Sequence, residues 1–279
     1  MHKSALTLRW FSFGPGTRGR QTNESLIMVR LFAALIMLII SVGFVPAAEA
    51  AVTATNLYSG GSNAASQSSF VTSSTSPGAN KLILLAVGYY TDGAGATISS
   101  VTGNGLTWVV VASTSFVSGF YRTYLFRAMG SSPSSGAATI NFSVADIYNV
   151  AVGINEFSNV DTSGTNGSGA IVQSATNTSD SATSLTVTLG AFGSTDNATF
   201  GAFGHPNASP TAGTGFTQLS EYHSVGWNRN IGTQTEWRSD NDTTVDISVG
   251  SSAVMGIAVE IKFAAAAVAD TSGAFFEFF

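Results

Sequence analysis

The chain has 279 residues, of which 44% are apolar but only 10% charged, and it contains no cysteine. An average soluble domain carries about 25% charged residues, so this surface is polar without being ionic, and 30 glycines with abundant Ser, Thr and Asn supply that polarity. Nineteen Phe residues exclude a charge-rich disordered chain. The absence of cysteine excludes a disulfide scaffold or a thiolate zinc site, and 11 basic against 16 acidic residues argue against a nucleic-acid partner.

The first segment reads as an address. Arg30 precedes an apolar run from Leu31 to Val45, followed by Ala48-Glu49-Ala50. A positive start, a short apolar stretch and a small-x-small end make a secretory signal peptide. The run is too short for a membrane span, which needs about 20 residues. Residues 1–50 are therefore expected to be a signal peptide, with 1–27 an extended basic start or an upstream misreading of a start at Met28. The mature chain, with no transmembrane span expected, keeps six bases and fourteen acids, a net charge of about −8.

From residue 51 to 263 the pattern is strand and turn: short β-branched or aromatic runs separated by Gly, Ser, Thr, Asn and Pro. Strands are expected near 52–58, 68–73, 81–90, 97–101, 105–113, 120–128, 137–144, 149–157, 184–190, 198–204, 215–223, 230–238, 243–249 and 253–263. Leu82 to Val87 is apolar on both faces and should be central, whereas Thr139 to Val144 alternates and should have one wet face. The expected fold is all-β: a single antiparallel β-sandwich, jelly-roll-like, built of two related halves. Ala86-Val87-Gly88 matches Ala202-Phe203-Gly204. Further blocks follow in the same order: Gly103 to Thr107 with Gly213 to Thr217, Thr139 to Val144 with Thr244 to Val249, and Val152-Gly153-Ile154 with Met255-Gly256-Ile257. This ordered recurrence puts the halves at about 52–165 and 166–263, closing one core, with Asn159 to Asp180 as connector. Residues 264–279 form a linker and a tail bearing Phe275, Phe276, Phe278 and Phe279.

Candidate chemistry is sparse. His205 and His223 lack a G-x-S-x-G elbow or metal-ligand spacing, and Glu156, Glu221, Glu236 and Glu260 form no acid pair at i, i+2. Ser239 to Asp246 is the densest set of oxygen ligands. Asp240, Asn241 and Asp242 suit a hard cation such as calcium, but Asx-rich hairpins are common without metal and the turn reading is preferred. Trp108 and Trp237 have the character of core residues. Trp227 lies in the polar loop Ser224 to Asn230 and, with Tyr222 and Asn228, is the expected glycan contact. Six N-x-S/T triplets are close to what this composition gives by chance.

The succession Asn80 to Val87, Ile98 to Thr102, Leu106-Thr107-Trp108, Tyr124-Leu125-Phe126 and Glu156 to Asp161 resembles β-sandwich modules of secreted bacterial and phage-associated proteins. The resemblance implies an extracellular binding or structural module and brings no catalytic residues. The expected function is thus non-catalytic surface attachment or glycan binding. The alternatives are a fibre or coat subunit whose partners are copies of itself, joined through its Phe-rich terminus, and a carbohydrate-active hydrolase.

Overall fold

A computed structural model describes residues 51–264, apart from 94, 117, 118, 207, 208, 227 and 228; the expected signal peptide and the Phe-rich tail lie outside the described residues. Within them the chain forms strands and no helix. In order these are β1 (Thr53–Ser62), β2 (Ser69–Val71), β3 (Leu82–Thr91), β4 (Ile98–Gly103), β5 (Val109–Phe116), β6 (Tyr121–Ala128), β7 (Ala138–Phe142) and β8 (Ile147–Ser158). There follow β9 (Ile171–Thr188), β10 (Ala198–His205), β11 (Thr211–Ala212), β12 (Thr217–Val225), β13 (Asn230–Arg238) and β14 (Thr244–Ile261). All pairings are antiparallel.

In the first half the large sheet runs β1-β8-β3-β6-β5 and a small sheet runs β2-β7-β4. The pairing is nested, β1 with β8, β2 with β7 and β3 with β6, as when one long hairpin is wound into two layers. The second half repeats this order. The first part of β9 pairs with the last part of β14, next to β10, β13 and β12. The last part of β9 and β11 flank the first part of β14. Register irregularities between Ser248 and Val254 mark where β14 passes from one layer to the other. Bulges turn a strand in this way because the extra residue leaves the ladder and increases the twist.

The sandwich class is as the alternation of the sequence leads one to expect, but the apolar interior is divided rather than single. Strand β3 is buried along its whole length. Its residues Ile83, Leu85, Val87 and Tyr89 face the small sheet and pack with Ile140 and Phe142. Leu82, Leu84 and Ala86 face the other way, onto Phe200, Ala202 and Ile257 of the second half. The second half has its own cluster, including Val187, Phe203, Val245 and Ile247. The two large sheets therefore pack face to face, each also covered on its far side. Trp237 joins the cluster between them, edge-on to Phe157 at 6.2 Å, and Trp108 packs on the first half's core.

The packing between the halves is reciprocal. Strand β1 lies against β12 and β5 against β9; β8 meets β13 as β6 meets β14. Each contact thus has its counterpart with the halves exchanged, the signature of an interface built about a two-fold axis. At its centre a Cβ on Gly88 would lie 2.5 Å from Thr233 Oγ1, and one on Gly204 would lie 2.0 Å from Thr123 Oγ1. Thr123 pairs with Gly88 and Thr233 with Gly204, so the two contacts are the same contact made twice.

Two further sequence expectations differ from the structure. The connector is shorter than Asn159 to Asp180, because β9 begins at Ile171. Its Gln, Ser, Thr and Asn residues lie at a sheet edge with much of their surface in water, so no apolar alternation announces them. The expected strands 243–249 and 253–263 are one strand, β14, bent at its bulges.

Gly204→Ala should destabilise the protein by ~1–3 kcal/mol through overpacking. Thr123→Ala in the same chain should return part of that loss, and a double-mutant cycle by denaturant unfolding reads the coupling.

Candidate functional site

One end of the paired sheets gathers aromatic side chains around a single guanidinium. Consecutive residues on a strand point to opposite faces, so Tyr89 enters the first half's core while Tyr90 projects toward the end of the seam between the halves. The Tyr90 ring lies 4.9 Å from Tyr121 and 6.4 Å from Tyr148, and Tyr121 stacks on Phe116 at 4.6 Å. Arg229, from the turn between β12 and β13, sits 5.5 Å over the Tyr90 ring, and its Nε donates to the Tyr90 hydroxyl at 3.1 Å. That hydroxyl donates to Asp92 Oδ1 at 2.7 Å. Burial, followed by the bond to Asp92, pushes the Tyr90 phenol above its ordinary pKa and keeps it a donor.

The turn carrying Arg229 is held by the other half. Asn149, buried at the start of β8, donates to the carbonyls of Ser224 and Arg229. Two cavities open beside the Tyr90–Arg229 pair. One, of about 500 Å³, is lined by Asn63, Asp92, Tyr148 and Asn149; the other, of about 370 Å³, by Phe116, Phe120, Tyr121 and Asp180. Both fall in the range of small-molecule pockets, and both combine ring faces with a few fixed polar groups.

Of the expected contacts, Trp227 and Asn228 lie outside the described residues, between Gly226 and Arg229. Tyr222 is half-buried on β12, with its ring over Gly61, and does not line either cavity. Tyr90, Asp92, Tyr148 and Arg229 were not singled out from the sequence. Tyr90 ends an apolar run that reads as pure core, and Arg229 gains its meaning only from a strand of the other half. A usable signal existed in the Tyr89-Tyr90 pair, since period two must send two adjacent tyrosines to opposite faces of the sheet.

At the opposite end of β13, Asp240 and Asp242 are engaged by Arg238. Asp240 accepts from Arg238 Nε and Nη2 at 2.7 and 2.6 Å, and Asp242 Oδ2 accepts from Nη1 at 2.5 Å. Asp242 Oδ1 accepts from the Thr244 amide and hydroxyl. All four carboxylate oxygens thus have protein donors. Among the described residues no group of three or more His, Cys, Asp or Glu is placed to hold a metal. The terminal phenylalanines Phe275, Phe276, Phe278 and Phe279 fall outside the described residues.

The acidic candidates are scattered. Glu156 and Glu260 hold matching positions beside β3 and β10. Glu156 accepts from the Gly78 amide, and Glu260 from Asn197 and Gln173. Glu236 is fully buried in the second half's interior, accepting from the Gly213 amide and from Gln234, each at 3.1 Å. Desolvation, with Asp246 adding to it, raises its carboxyl to about 8. His205 and His223 stack at 6.1 Å, and His223 Nε2 lies 3.0 Å from the Pro206 carbonyl.

Glu236 makes stability fall with pH. The unfolded chain releases this proton near 4.5 and the folded chain near 8, so between those values folding must retain a proton that the unfolded state has lost. Unfolding free energy should decline across this window by up to about 1.4 kcal/mol per pH unit. Glu236→Gln should flatten the decline and be the more stable form at pH 8, as measured by urea titration at several pH values. Millimolar calcium should leave the melting temperature unchanged, because Arg238 and Thr244 already occupy all four carboxylate oxygens of Asp240 and Asp242; Asp242→Ala should lower it with or without the ion.

No family model matches the chain, and neither the curated proteins nor the solved structures yield a match. What the site does has to be read from its own chemistry.

Proposed function

We propose that this is a secreted, non-catalytic binding module that takes a glycan in the cleft around Tyr90 and Arg229. The observation that carries the reading is the set of half-buried rings, Tyr121, Tyr148 and Phe120, beside fixed hydrogen-bonding groups on Arg229, Asp92 and Asn149. A sugar presents the complementary surfaces: apolar C–H faces for the rings and an edge of hydroxyls for guanidinium, carboxylate and amide. The extracellular setting is supported by the Arg30 to Ala50 segment and by a surface rich in uncharged Ser, Thr and Asn. We further infer that each half is a jelly roll, a reading supported by the nested pairing of its strands.

A second reading, assembly into a fibre or coat, has one observation in its favour. Val110 on β5 and Val172 on β9 are about half exposed and line a shared groove of about 280 Å³ where edge strands of the two halves meet. Unpaired edges with exposed apolar residues are where a second chain adds most readily.

A glycan array with the purified mature chain tests the first reading. Binding should appear, and both Arg229→Ala and Tyr148→Ala should weaken it by about tenfold or more, each losing on the order of 1–2 kcal/mol of contact. An empty array, together with filaments in electron micrographs of the same sample, would instead establish the assembly reading.

A further inference from the structure

The two cavities beside Tyr90 and Arg229 are related by the same exchange of halves that relates the sheets. The smaller one is bounded by the β5–β6 turn of the first half through Phe116 and Phe120, by the bend of β9 through Asp180, by the bend of β14 through Ala253, and by Pro206 at the end of β10. Exchanging the halves turns these into the β12–β13 turn, the end of β1, the start of β8 and the end of β3. Those are the elements that supply Arg229, Asn63, Asn149 and Tyr90 to the larger cavity. Residue registers agree: Asp180 and Ala253 lie on β9 and β14 as the neighbours of Asn63 and Asn149 lie on β1 and β8. The cavities flank the pseudo-two-fold axis, with the Tyr90–Arg229 pair, common to both, between them.

Resting on the glycan reading, we propose that the two cavities are subsites of one cleft, and that its ligand is an uncharged oligosaccharide laid across Tyr90 and Arg229 into both. Charge supports the neutral ligand. Arg229 is shared, while Asp92 stands in one subsite and Asp180 in the other, so neither offers the excess positive charge that a polyanionic sugar needs. The subsites also divide the work. The larger has amides and a carboxylate fixed by bonds to the fold, Asn149 to two carbonyls and Asp92 to Tyr90, and it sets orientation. The smaller places Phe116, Phe120 and Tyr121 in its lining and adds stacking area. A short sugar occupies the larger subsite alone. A longer one gains the second contact intramolecularly, at the high effective concentration that linkage provides.

Isothermal titration of the mature chain with the β-1,4-glucose, β-1,4-N-acetylglucosamine, β-1,4-xylose and α-1,4-glucose series, from one to six units, reads this directly. In the series that binds, affinity should rise by about tenfold or more between the shortest and longest members, at one ligand per chain. Phe120→Ala should weaken the longest ligand more than the short ones, and Asp180→Ala, at an exposed position, should reduce the longest ligand toward the affinity of the short ones. Tyr148→Ala should weaken every length. Equal affinity at all lengths, or two short ligands per chain with no gain for long ones, overturns the spanning ligand and leaves glycan binding standing. Silence from all four series together with an empty array overturns both.

Discussion

The close approach of two glycines to two threonines at the centre of the molecule sets the geometry of everything else. Gly88 on β3 receives Thr233 and Gly204 on β10 receives Thr123, and nothing larger than hydrogen fits at either glycine while the sheets keep their separation. Sheets packed face to face usually lie about 10 Å apart, held by interdigitating side chains. Here the side chain is missing on one side of each central contact, so the hydroxyl of the other reaches into the opposing sheet, where Thr123 Oγ1 donates to Met255 Sδ at 3.8 Å. Thr233 Oγ1 donates to the Ala151 carbonyl at 3.0 Å, and Asn155 donates to Thr235 Oγ1, which is also bonded to Ser220. A polar group buried without a partner costs roughly 1–3 kcal/mol, so this seam stays favourable only in the register that satisfies these bonds. The register, in turn, brings the end of β3 under the β12–β13 turn and so places Arg229 over Tyr90.

Strand positions were largely legible because β-branched and aromatic runs bounded by Gly, Ser and Asn have few other solutions. The repeat was legible in part: Ala86-Val87-Gly88 and Ala202-Phe203-Gly204 both pass through the seam, whereas Val152 pairs with Val87 and Gly256 with Phe203, so the match of Val152 to Met255 is displaced by one residue. The start of β9 was hidden. It is an edge strand whose neighbour, β14, buries one side of its ladder but little of its surface, so selection for apolar residues is weak. The same repeat could have revealed it, because a half that contains an equivalent of β2 at 184–188 also needs an equivalent of β1. Division of the interior was illegible for a different reason. Apolar residues on both faces of β3 show that both are covered, but not by what.

Similar order has not produced similar interiors. Where the first half places Tyr89, Tyr124 and Phe126, the corresponding register positions of the second hold His205, Gln234 and Glu236. In the first half the tyrosine hydroxyl is accommodated at the core margin, Tyr89 donating to the Ala96 carbonyl at 2.8 Å, and the rings supply buried area. In the second half a carboxyl occupies comparable space and tolerates burial by remaining protonated. That half therefore gains less from apolar transfer at these positions and depends more on hydrogen bonds, among them the one from the Gly213 amide.

The same asymmetry bears on the glycan cleft we propose at one end of the seam. A strictly two-fold end would place identical groups on both sides of the axis, and a ligand lying across it would meet the same chemistry twice. Substitution has broken that equivalence at the axis itself: Tyr90 stands where the second half has Pro206, and Arg229 comes from only one of the two corresponding turns. The ring of Tyr90 and the guanidinium above it thus fill a position that symmetry alone would have left to two equal and competing side chains. This one pair on the axis serves both cavities, and the groups that differ between them give the cleft a direction. The oligosaccharide we propose, with a reducing and a non-reducing end, has a direction of its own to match it.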